Sequence, residues 1–222
     1  MIDWKASMQQ TFEYYIVDPG TWKDIEPITN IITSTINRDA DTETLGSASF
    51  DVTETVGECY IRAYLVVNQN GEKGRFPLGT FLIQTPSSSF DGKVRKVSMD
   101  AYTPLLELKE NFPPIGYYTA KGDNILDVAV DLVDKHARAP VVVSTDESTI
   151  PYDFVSNPED TWLTYLTDLI SNAKYNFDLD EMGRILFSKS QGAAFLQPVW
   201  TYEDGEEAIL CPEQEMDHDF SG

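Results

Sequence analysis

The sequence predicts an α+β fold, with an antiparallel sheet or small barrel first and a smaller part carrying two amphipathic helices after it. Three observations predict this. β-branched and aromatic residues dominate the chain up to Thr103. An Asn70-Gly71 pair sits between two apolar runs, the strongest short-range hairpin signal, because both residues tolerate positive φ. Two later segments carry apolar residues at helical spacing. Of the 222 residues, 41% are hydrophobic and 12% aromatic, which suits a packed core and not a disordered chain.

Thr11 to Val17 reads as a strand stopped by Asp18-Pro19-Gly20. Ile25 to Ile36 is Ile- and Thr-rich, and Pro27 argues against a helix, so it reads as extended. Leu45 to Val52 alternates around small residues. Cys59 to Val67 is a β-rich run ending at the Asn-Gly turn, and the return strand passes through Phe76 and Gly79 to Gln84. Ser87-Ser88-Ser89 and Asp91-Gly92 read as the next turn. Lys93 to Tyr102 alternates again, with an irregularity between Val94 and Met99. Leu105, Leu106 and Leu108 predict a short helix closed by Pro113-Pro114, and Ile115 to Ala120 reads as extended.

Asp123 is the expected cap of a helix whose stripe is Ile125, Val128, Ala129, Leu132, Val133 and His136. Val141 to Val143 is a short strand. Asn157-Pro158-Glu159-Asp160 has the composition of a helix start, with Asn157 as N-cap, and Trp162, Leu163, Tyr165, Leu166, Leu169, Ile170 and Ala173 form the buried face. A hairpin follows: Tyr175, Phe177 and Leu179, a turn at Glu181-Met182-Gly183, and a return from Ile185. Val199, Trp200 and Tyr202 read as a last strand before an acidic tail. The ending at Ser221-Gly222 lacks a closing element and reads as a cut from a longer protein or a short relative.

The chain has 16 Lys and Arg against 37 Asp and Glu, a formal charge of -21. That charge repels phosphate backbones and anionic membranes, so neither specific nucleic-acid binding nor membrane attachment is expected. It favours basic partners, although it also simply keeps a surface wet. Asp3, Trp4, Lys5 and Gln9 interrupt any apolar run at the start, so no export signal is expected. No stretch approaches the ~20 apolar residues of a membrane helix, so the expected setting is aqueous.

Catalytic patterns are missing. Cys59 and Cys211 fit no metal or redox spacing. His136 lies on an apolar stripe, where a histidine is ordinarily a satisfied boundary residue, and His218 lies in the acidic tail. There is no zinc helix, EF-hand loop, phosphate-binding loop or dinucleotide turn, and Gly46-Ser47-Ala48-Ser49-Phe50 fails the nucleophile elbow at its last position. Carboxylates are too plentiful for any pair to stand out. No catalytic residue, metal or cofactor is assigned. The tail acids, Glu203, Asp204, Glu206 and Glu207 among them, lack calcium-loop spacing and read as a solvated or partner-facing strip. Trp162, Tyr165, Phe177 and Phe81 sit at periodic positions that predict core. Trp4, Trp22, Tyr117 and Tyr118 are less constrained and are the aromatic candidates for partner contact.

The order of pieces carries a resemblance. Tyr14-Tyr15-Ile16-Val17, Trp22-Lys23-Asp24-Ile25, Leu45-Gly46-Ser47-Ala48-Ser49-Phe50, Pro77-Leu78-Gly79-Thr80-Phe81-Leu82-Ile83, Lys96-Val97-Ser98-Met99-Asp100-Ala101-Tyr102 and Leu105-Leu106-Glu107-Leu108 follow one another, with two helices and a hairpin after them. This resembles the N-terminal part of the bacteriophage tail hub, or baseplate hub, proteins. The resemblance implies a β-barrel-like domain over 1–104, an α/β insertion over 105–193, and an acidic return strand or start of a further barrel over 194–222. It implies a non-enzymatic homotrimer in the virion tail, assembled in the host bacterial cytoplasm. Its implied partners are the distal tail protein and the tape-measure or tube proteins. An acidic lumen would let DNA pass without sticking. The rival readings are a receptor- or glycan-binding tail module and, behind it, a cell-wall hydrolase.

Overall fold

The computed structural model describes residues 2–54, 56–90, 95–143 and 147–190. The Asp91-Gly92 turn, Cys211, His218, the strand read at Val199 to Tyr202, and the acids Glu203, Asp204, Glu206 and Glu207 lie outside the described residues.

Seven strands form one antiparallel sheet: β1 (Gln9–Val17), β2 (Asp24–Pro27), β3 (Ile31–Asn37), β4 (Ser47–Val52), β5 (Tyr60–Gln69), β6 (Glu72–Phe90) and β7 (Arg95–Tyr102). Their order across the sheet is β2-β1-β5-β6-β7-β4-β3. The β5–β6 hairpin closes at Asn70 (φ 50°) and Gly71 (φ 85°), as the Asn-Gly pair demands. Tyr60 to Val67 of β5 and Phe81 to Ile83 of β6 read as apolar runs because both faces of the sheet are covered there. Ile61, Phe81 and Ile83 face an inner cluster with Phe50, Val97 and Met99. Tyr60 and Leu82 face the other side, toward the helices.

The sheet departs from the sequence reading in three ways. The Ile25–Ile36 segment is two strands, not one. β2 ends at Pro27, and the Ile28 amide bonds the Tyr14 carbonyl at 2.8 Å while its side chain enters the inner cluster. Residues 28–30 then carry the chain to the opposite edge. The three serines are not a turn, because the ladder to β7 continues through Ser87↔Ser98 and Ser89↔Lys96. The irregularity expected in β7 is a register shift on the β6 side, between Gln84 and Pro86. Finally, the barrel does not close. The sheet curls until the Tyr14 hydroxyl on β1 meets Ser34 Oγ on β3 at 2.6 Å. Among the described residues its hydrogen-bonded ladder nevertheless ends at β2 and β3.

After β7 come α1 (Leu106–Lys109), β8 (Tyr118–Thr119), α2 (Ile125–His136), β9 (Val141–Val143), β10 (Phe154–Val155), α3 (Trp162–Ser171), β11 (Tyr175–Leu179) and β12 (Ile185–Lys189). β10 pairs β8 in a short ribbon. β9 joins β12 in parallel, and β12 joins β11 in antiparallel. The apolar faces of α2 and α3 share one core with this small sheet.

Both helix caps differ from expectation by a few residues. α2 is capped by Asn124, whose Oδ1 accepts the Leu126 and Asp127 amides at 3.0 and 3.1 Å, while Asp123 sits in the preceding turn. α3 is capped by Thr161, which exchanges hydrogen bonds with Thr164 in a capping box. Asn157 lies four residues before Thr161, in a separate turn that Asp160 closes through its amide to the Asn157 carbonyl and its carboxylate to the Asn157 amide.

Candidate functional site

The β11–β12 turn is anchored on the large sheet by a single carbonyl. Met182 O accepts from Trp22 Nε1 at 2.9 Å, Thr80 Oγ1 at 2.8 Å and Arg62 Nη2 at 3.2 Å. The alternation of β5 points Arg62 at this turn. Its guanidinium is 1% exposed and also donates to Thr80 Oγ1 (2.8 Å), Asp24 Oδ1 (2.8 Å) and the Trp22 carbonyl (3.2 Å). A buried cation survives only with such complete pairing. Gly183 follows at φ 73°, and a Cβ there would lie 2.5 Å from Thr80 Cβ. Arg38 Nη2 donates to the Leu179 carbonyl at 2.9 Å and holds the hairpin's other side. Asp24 Oδ2 accepts the Tyr64 hydroxyl at 2.8 Å, and Arg75 stacks over the Tyr64 ring at 3.4 Å and pairs with Glu13.

The four aromatic candidates are not brought together. Trp22 is buried in this clamp, with φ at 56°, a costly conformation for a bulky residue that its surroundings impose. Tyr117 is packed on Trp162 and Tyr165, with ring centroids at 4.9 and 5.4 Å, and burial pushes its hydroxyl pKa up. Trp4 is exposed beside Phe76, at 5.0 Å between rings. Tyr118 is exposed on β8, directly opposite the exposed Val155 of β10. His136 stacks on Trp162 at 4.2 Å, and burial lowers its pKa.

Sequence reasoning missed most of the exposed apolar surface. Phe112, Ile115 and Tyr152 project from the loops around the β8–β10 ribbon, and Ile25 and Ile32 project from the edge strands β2 and β3. Phe112 and Ile115 flank Pro113-Pro114, and that was the available signal, since such a segment packs into neither helix nor sheet. The carboxyls that depart from their ordinary value go down. Asp51 falls to about 2, held by Lys96, Ser98 and Thr33, and Asp18 is lowered by Thr21 and the Gly20 amide. A general acid needs the opposite shift. Burial raises the Cys59 thiol to about 11, so it is a packing residue and not a nucleophile. Among the described residues no cluster of His, Cys, Asp and Glu could hold a metal ion.

No family model and no curated protein matches the sequence. Solved structures do. A tail protein from Neisseria meningitidis MC58 superposes at a TM-score of 0.59 with 16% identity, over 88% of this chain and 57% of that one. The 43 kDa tail protein of prophage MuSo2 from Shewanella oneidensis superposes at 0.54 with 14% identity, over 81% and 53%. The chain has the fold of these tail proteins. The tail-protein fold takes in both sheets and the helices, because 88% of the chain is far more than the seven-stranded sheet alone supplies. The chain spans about half the length of the two tail proteins it matches. A chain of a PdpA–VgrG complex aligns at 0.47 with 12% identity, over 82% and 35%, too loosely to argue from.

Proposed function

We propose that this chain is a structural component of a phage or phage-like tail tip, an oligomeric hub joining the tail tube to the distal tail or baseplate apparatus. The observation that carries the proposal is the tail-protein fold over most of the chain. Two features support it. Among the described residues the large sheet ends at β2 and β3, with Ile25 and Ile32 exposed on them, and strand edges of this kind recruit other chains. The net charge of -21 repels DNA, as the wall of a DNA conduit must. In this reading the sheet part (1–104) builds a ring of three copies. The helical part (105–193) and the acidic segment (194–222) face the distal tail, tape-measure or tube proteins. The complex forms in the host cytoplasm and ends in the virion tail.

The test is the mass of the purified chain in solution, imaging by negative stain, and antibody labelling of purified tails. A ring of three copies with an axial opening, and label at the tail tip, are expected. A chain that stays monomeric and is absent from purified tails would overturn the proposal.

A further inference from the structure

A concavity of about 610 Å³ opens between the β3–β4 loop, the outer side of α3 and strand β11. Among the described residues its lining takes none from β2, β3 or the β8–β10 ribbon, and its volume falls in the ~300–1,000 Å³ range of ligand-binding clefts. Leu45, Leu105, Leu163 and Phe177 give it an apolar lining. Hydroxyls of α3 and the carboxylates of Glu43, Asp160 and Asp168 share it, and among the described residues no Lys or Arg lines it.

The three carboxylates are differently committed. Asp160 is held by Asn157. Glu43 pairs with Lys109 at 2.7 Å, both side chains well exposed, and an exposed pair of this kind exchanges partners at little cost. Asp168 is exposed on α3, and its bonds from Ser171 and Asn172 go to its main-chain carbonyl, leaving its carboxylate toward solvent. Lys189 borders the cleft, lying over the Tyr175 ring at 5.9 Å.

We propose that this cleft binds a Lys- or Arg-bearing segment of another protein, its aliphatic stems on the apolar lining and its cations at Asp168 and Glu43. Charge complementarity selects this occupant. The lining is acidic within a molecule of charge -21, so a cation is concentrated there and an anion expelled. A long cationic side chain also satisfies both lining chemistries, since its stem is apolar and its head charged. The chain's own downstream residues 191–222 contain no Lys or Arg and cannot supply the cation. The inference stands apart from the tail-tip proposal and holds or fails without it.

The experiment measures binding of a fluorescein-labelled peptide alternating Lys and Leu to the full chain by anisotropy, at low and high salt. A matched control with Glu in place of each Lys, alternating Glu and Leu, is run beside it. Thr167→Trp narrows the cleft and Asp168→Lys reverses its charge, both at exposed positions of α3. Asp134→Lys, on the exposed face of α2, makes the same change in net charge elsewhere. Each cleft variant should weaken binding roughly tenfold or more, Asp134→Lys less than about twofold, and salt should weaken it further. Equal losses in Asp168→Lys and Asp134→Lys would mean attraction by net charge alone, and overturn the proposal. So would equal binding of the Glu peptide, no binding at low salt, or self-association of the chain that Thr167→Trp abolishes.

Discussion

At the scale of single residues, Arg62 carries the most consequence. It sits within the apolar run from Tyr60 to Val67 of β5 and is fully buried, yet each of its nitrogens has an acceptor. Replacing it by Met keeps the stem and removes the cation, which strips one donor from Met182 O and an ion-pair partner from Asp24. The expected loss is about 3 kcal/mol in urea unfolding, below the largest values for buried pairs because Asp24 is partly exposed and keeps Tyr64. Asp51 makes a pH prediction. Its folded pKa of about 2 lies below the ordinary 3.8, so the carboxylate stabilises the fold above the ordinary value, and that contribution disappears as pH falls from about 4 toward about 2. Asp51→Asn should therefore lower stability at pH 7, by on the order of 1 kcal/mol or less for so accessible a site, and have little effect at pH 2.

At the scale of elements, the β11–β12 hairpin is the piece whose placement depends on its turn. Gly183→Ala puts a methyl against Thr80 and forces a non-glycine residue to φ 73°. It should cost about 1–3 kcal/mol, and Trp22 fluorescence should report loss of the bond to Met182 O. The hairpin itself was legible in the sequence, as were β1, β5, α2 and α3, because each is long enough to display a period. The caps were displaced because neighbours with equal capping chemistry stand nearer the helix start: Asn124 for α2 and Thr161 for α3, while Asn157 opens a separate turn. Ser87 to Ser89 have turn composition and lie in a strand, since the ladder to β7 outweighs it. The docking of Met182 on Arg62 left no trace in the sequence, because it joins residues 120 positions apart through a main-chain oxygen. Arg62 inside Cys59 to Val67 was the one signal: a charge amid an apolar run needs a partner. Trp22 looked available only because its segment is irregular.

At the scale of the whole molecule, one face of the large sheet packs on a cluster of its own and the other shares a core with the helical part. Tyr60 and Leu82 of the large sheet, with Trp22 of the β1–β2 turn, join α1, α2, α3 and β12 in that shared core. Secondary structure followed by far-ultraviolet circular dichroism and tertiary structure followed by tryptophan fluorescence should thus be lost at the same urea concentration. Two separated transitions would contradict a shared core. The same arrangement leaves the open edges, the ribbon and the cleft on one body, so partners at each are held in fixed relation.

The strand order 2-1-5-6-7-4-3 also dictates when each piece of the chain can find its place. β5, β6 and β7 are successive neighbours and can zip as a meander. β1 and β4 precede the strands they flank, β5 and β7. On a ribosome, the β1–β2 and β3–β4 pairs emerge before β5 and β7, the strands that join them to the sheet. Two separate ribbons thus wait for a central meander encoded downstream.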